Sequence, residues 1–131
     1  MKLIDGLDIF LEEAHKQNIK MAIGSAAIDD NIDFVIDNMN IRHYFNAIVS
    51  ANHVSKSKPH PETFLKCAEQ LGIQPNECIV FEDAPKGIEA AANAGMKAVA
   101  ITTMHSKEEF EQYNNIIAFT NHYGTLAHLL K

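Results

Sequence analysis

The chain has 131 residues, a formal net charge of −6, 47 % hydrophobic and 21 % charged residues and no Trp. That length is enough for one domain with a proper core, and the acidic balance argues against nonspecific binding to nucleic acid or anionic membranes, which need a basic surface. No apolar run reaches membrane-spanning length, the N-terminus lacks a signal-peptide pattern, and Cys67 and Cys78 are too few and too separated for a disulfide framework or a zinc site. Two reduced packing cysteines in a cytoplasmic protein are the expectation.

Leu7, Phe10, Leu11 and Ala14 recur at helical spacing, so an amphipathic helix is expected from about Gly6 to Asn18. Met21-Ala22-Ile23 is a short apolar strand running into a loop at Gly24-Ser25. Asp29 or Asp30 can cap the next helix, whose apolar face is Ile32, Val35, Ile36 and Met39. Ala47-Ile48-Val49 is a second strand, followed by a polar loop from Asn52 to His60. Pro61 suits the first position of a helix carrying Phe64, Leu65, Ala68 and Leu71, with Gly72 as its C-cap. A strand from Cys78 to Phe81 and a helix from about Pro85 to Ala94, closed by Gly95, come next. Ala98 to Ile101 is a further strand, Ser106 and Glu109 a capping box, Ile116 to Phe119 an edge strand, and Leu126, Leu129 and Leu130 belong to a terminal helix. Strands alternating with helices imply an α/β fold, with parallel βαβ units and right-handed crossovers in a three-layer sandwich. No domain boundary is evident.

Three segments carry chemistry. Ser25, just past a strand, offers a hydroxyl and neighbouring backbone N–H groups, Ala26 included, to a phosphate; taken alone, the simpler reading is an ordinary loop or N-cap serine. Lys58 lies in Ser57-Lys58-Pro59-His60-Pro61, where two prolines restrict the backbone. An ammonium held there can face a phosphoryl group as a point charge, or simply be a solvated loop lysine. Glu82 and Asp83 are adjacent acids at a strand end, where ligands of open α/β sheets bind. Side by side they repel, and magnesium would resolve the conflict; alternatively Asp83 caps the next helix while Glu82 is exposed. The histidines show no ligand spacing, and only His60, beside Lys58, invites a site role.

Taken in order, Gly24-Ser25-Ala26-Ala27, then Ser57-Lys58-Pro59-His60-Pro61-Glu62-Thr63-Phe64, then Phe81-Glu82-Asp83 with Gly87 and Ala94-Gly95-Met96, the chain resembles the haloacid dehalogenase superfamily. Its likeness is to the β-phosphoglucomutase and phosphoglycolate phosphatase-like branch, and it covers about Gly6 to Ile101. The resemblance implies a Rossmann-like core that transfers phosphoryl groups of a small phosphorylated metabolite through an aspartyl-phosphate. It makes Ser25 and the following Ala26 amide the phosphoryl holders, Lys58 the cation neutralising transition-state charge, and Glu82 and Asp83 ligands of Mg2+. The family's nucleophile lies in an Asp-x-Asp motif ending the first strand, and no Asp-x-Asp occurs here; Asp5-Gly6 and Asp8 match instead the return from the helical cap.

The expectation is therefore a single partial core over residues 1–131, without cap, first strand, nucleophile or acid/base aspartate, inert by itself toward phosphate esters. Ala27, Ile28 and Asp29 replace the polar and basic residues the sugar mutases use, which favours a phosphatase over a mutase. The family's first strand lies between those ending at Gly24 and Glu82. Without it those two pair directly, or their edges recruit another chain by oligomerisation or strand exchange. A non-catalytic phosphate- or partner-binding domain is the alternative; a receiver-type signalling domain fits worse, because no phosphoacceptor aspartate ends a central strand.

Overall fold

The computed structural model describes residues 7–103 and 105–120. The expected terminal helix with Leu126, Leu129 and Leu130, and the Asp5-Gly6 segment, lie outside the described residues. The elements are α1 (Leu7–Lys16), β1 (Ala22–Gly24), α2 (Asp29–Asn38), β2 (Ala47–Val49), α3 (Glu62–Leu71), β3 (Ile79–Glu82), α4 (Pro85–Asn93), β4 (Lys97–Ile101) and β5 (Ile116–Thr120). Short 3-10 turns at Arg42–Tyr44, Ala51–His53, Pro75–Glu77 and Lys107–Phe110 fill the connections.

Among the described residues all strand pairings are parallel. They fall into two sheets: β1 with β2, and β3-β4-β5 with β4 central. Alternation along β4 sends Ala98 and Ala100 to a cluster with Phe64, Ala68, Ile88 and Ala91 of α3 and α4. Val99 and Ile101 face the other way, toward Leu7 and Phe10 of α1. Helices thus cover both faces of the strands, as the sequence pattern requires.

Two helices tie the sheets together. Leu7 packs both on the cluster of Met21 and Ile23 and on that of Phe81 and Val99, and α3 packs on β1 and β2 as well as on α4. Of the two outcomes expected for the strands ending at Gly24 and Glu82, direct pairing is not what the structure contains: β1 and β3 belong to different sheets. At the rim the Lys58 ammonium bridges them instead, from the Gly24 carbonyl to the Glu82 carboxylate.

Local signals held well at helix ends. Gly72 closes α3 with φ 70°, and Gly95 follows α4 with φ 81°, a conformation that costs glycine little. The α2 cap differs from expectation. Ile28 occupies the N-cap position, and the Asp29 N–H donates at 2.9 Å to Oδ1 of Asn52, 23 positions away. Asp29 and Asp30 remain in the first turn, where their charge complements the helix dipole.

Candidate active site

The C-terminal ends of β1, β2 and β3 and the loop before α3 meet at one rim. After β1, the Ser25 N–H donates to the Val49 carbonyl at 2.9 Å, and Ser25 Oγ accepts from the Ala27 N–H at 3.0 Å. The hydroxyl closes a turn with Ala26 at its apex, and accepting there leaves its own proton to donate. A second tie holds this loop: the Ala51 N–H donates to the Ala27 carbonyl at 2.9 Å. Ser25, Ala26, Ala51, Val54, Ser55, Ser57, Lys58 and Thr63 line a cavity of about 160 Å³. Sequence reasoning found Ser25, Ala26 and Lys58; it missed Ser55 and Thr63, whose only signal was a cluster of hydroxyls around a lysine.

Lys58 reaches across the space between the sheets. Its Nζ lies 3.2 Å from the Gly24 carbonyl and 3.2 Å from Glu82 Oε2, and 4.7 Å from the centre of the Phe64 ring. The side chains of Lys58 and Glu82 are only 15 % and 14 % exposed. A lysine so enclosed is tethered by two oxygens and an aromatic face, so its charge has a fixed position. The peptide bond from Lys58 to Pro59 is cis.

Glu82 and Asp83 divide rather than share. Glu82 Oε2 meets Lys58, while Oε1 accepts from the Asp83 and Ala84 N–H groups at 3.1 and 3.2 Å. Burial pushes the Glu82 carboxyl above its ordinary range, Lys58 pulls it back, and Asp83 adds to the rise. Glu82 is therefore not the exposed residue of the alternative reading, and Asp83 is the exposed one. The α4 N-cap position falls to Ala84, with no side-chain cap, so Asp83 does not cap that helix. Gly87 is the residue that lets Glu82 lie over α4, since a Cβ there would overlap Glu82 Cγ, Cδ and Oε2.

Among the described residues, no three His, Cys, Asp or Glu side chains gather closely enough to hold a metal ion. Magnesium demands near-octahedral oxygen ligation, and Glu82 has both carboxylate oxygens engaged. The acidic doublet alone does not complete a magnesium site. His60 stays at the margin: its Nδ1 accepts the Glu62 N–H at 3.1 Å, and it does not line the cavity.

A family model described as haloacid dehalogenase-like hydrolase matches residues 1–101. Over 81 residues the chain is 47 % identical to fructose-1-phosphate phosphatase YqaB of Escherichia coli K12, covering 62 % of this chain and 43 % of that protein. Over 99 residues it is 36 % identical to the β-phosphoglucomutase of Bacillus subtilis, covering 76 % of this chain and 43 % of the relative. The crystal structure of a Clostridium difficile β-phosphoglucomutase superposes with a TM-score of 0.78 at 31 % identity, over 88 % of this chain and 49 % of that one. The chain spans less than half the length of these relatives.

Proposed function

Because the chain belongs to the haloacid dehalogenase-like hydrolase family, we propose that it is the phosphate-holding core of a phosphoryl-transfer site for a small phosphorylated metabolite. The observation that supports this most is the enclosed Lys58 ammonium beside a small cavity that Ser25 and Ala26 also line. Phosphoryl transfer depends on positioning and charge neutralisation more than on covalent chemistry by the protein. In this reading the Ser25 hydroxyl and Ala26 N–H orient the phosphoryl oxygens, and Lys58 neutralises the charge that builds on them. Glu82 holds Lys58 in place. Mg2+ is the cofactor this chemistry would use; Asp83 would be the chain's ligand to it, and the ion would supply further positive charge to the phosphoryl oxygens.

A phosphatase is favoured over a mutase by the 47 % identity to a phosphatase and by Ala27, Ile28 and Asp29 after the serine. The unpaired thiols of Cys67 and Cys78 support a cytoplasmic setting. Among the described residues, no helix is long and apolar enough to cross a membrane. Among the described residues no carboxylate lines the cavity, so we read the chain as one partial core that is inert alone. The separate β1 and β3 edges favour association or strand exchange.

One preparation tests both statements. With p-nitrophenyl phosphate and Mg2+ the chain is expected to give no turnover above background, and in sedimentation its average mass is expected to rise with concentration. Robust turnover abolished by Asp83→Asn overturns the inert reading. A monomer at every concentration removes the association.

A further inference from the structure

The loop that carries Lys58 has no regular secondary structure between Val54 and Pro61, yet Val54, Ser55, Ser57 and Lys58 of it line the cavity. One side chain gathers it. Glu62, the first residue of α3, is half-buried, and its Oε1 accepts three donors: Ser55 N–H at 2.9 Å, Ser55 Oγ at 3.0 Å and Lys56 N–H at 2.9 Å. Its other oxygen lies 3.7 Å from Lys66 Nζ, one turn along the same helix. Lys66 in turn donates to the His53 carbonyl at the near end of the loop. The far end is held as well, because Asn93 of α4 donates to the Pro59 carbonyl at 3.1 Å.

We propose that Glu62 is a positioning residue for the anion cavity: its carboxylate folds the Ser55–Ser57 strip back onto α3 and so fixes where Ser55 and Lys58 stand. The inference rests on the reading of that cavity as a phosphate site and extends it to a residue that touches no substrate. A charged acceptor with three donors on one oxygen is stronger than neutral contacts of the same number. Only Ser57 separates Lys56, the last of these donors, from Lys58, too little chain to absorb the loss of the carboxylate. The groups facing Glu62 are Lys66 on α3, Lys56 and His60 on the loop, and, through Lys66, His53. The Lys56 N–H foremost, with Ser55 and Lys66 adding, holds the Glu62 carboxyl below its ordinary range against the opposing effect of burial. A lowered carboxylate stabilises the folded arrangement above its unfolded pKa, and this is lost as pH falls through the folded value. Several polar groups face Glu62, so acid titration alone does not isolate it. Variants do.

The test compares Glu62→Ala and Glu62→Gln with wild type in three readouts: amide exchange at Ser55 and Lys56, reductive methylation of Lys58 against Lys97, and calorimetric affinity for inorganic phosphate across pH 4 to 8. In Glu62→Ala, exchange and Lys58 labelling should rise about tenfold and phosphate affinity fall about tenfold, while Glu62→Gln, which keeps an acceptor, should lose about threefold and show a flatter acid limb. Exchange in the Phe64–Cys67 stretch should not change, which separates positioning from general loosening of α3. Unchanged Lys58 labelling in Glu62→Ala overturns the inference. So does phosphate binding equal to wild type while Lys58→Ala abolishes it, leaving the site reading intact. If wild type binds no phosphate but the loop responds as stated, the site reading fails and the positioning role stands.

Discussion

Replacing Lys58 by Met should destabilise the chain by about 3 kcal/mol near neutral pH, because it leaves a buried carboxylate without its cation. The pair is enclosed, with both side chains about 15 % exposed or less, so solvent cannot take over the role of the lost partner. The pH dependence carries the distinguishing information. Burial already raises the Glu82 pKa, and Lys58 is the main opposing influence. A group whose folded pKa is raised contributes stability at low pH that is lost as pH rises through the folded value. Removing Lys58 pushes that pKa higher, so the Lys58→Met penalty should shrink on going from pH 8 to pH 5, as Glu82 takes up its proton. Thermal unfolding at the two pH values measures this. A penalty that is equal or larger at pH 5 would show that Glu82 is not the group left unpaired.

Gly87→Ala is the second large effect, and helix propensity alone predicts the wrong sign. In the interior of α4 alanine is favoured over glycine by about 1 kcal/mol. The added Cβ would overlap Glu82 Cγ, Cδ and Oε2, and Glu82 cannot swing aside without giving up Lys58 and the Asp83 and Ala84 N–H groups. Overpacking of this kind costs about 1–3 kcal/mol and losing a charged hydrogen bond about 1.5–3 kcal/mol, so the clash outweighs the propensity gain. Chemical denaturation should find Gly87→Ala less stable by about 2 kcal/mol. A more stable variant would mean that Glu82 does not lie over α4.

The existence and order of the elements were legible because each one is a local pattern: apolar periodicity, a proline at a helix start, a glycine at a helix end. The candidate residues were legible for a related reason, since strand C-termini gather at one rim, where Ser25 and Glu82 sit, and Lys58 stood out between two prolines on the loop before α3. What could not be read was long-range. The α2 cap comes from Asn52 rather than from Asp29 or Asp30, and nothing local announces a donor pair 23 positions apart. The separation of the strands into two sheets depends on pairing across the molecule. The contrasting fates of Glu82 and Asp83 depend on where the strand stops: Glu82 ends β3 and faces Lys58, whereas Asp83 lies in the bend before α4 and is exposed. Glu62 carries no signal of its own in the sequence, because its three loop donors converge on it only in the folded chain.

If Ser25, Ala26 and Lys58 form one anion cavity, a titration of isotopically labelled chain with inorganic phosphate will show it. The Ala26 amide and the Lys58 ammonium signals are predicted to shift together along one binding curve, and Lys58→Ala should abolish the shift at Ala26. Phosphate that moves neither signal, or moves residues elsewhere while Ala26 and Lys58 stay still, would contradict the account.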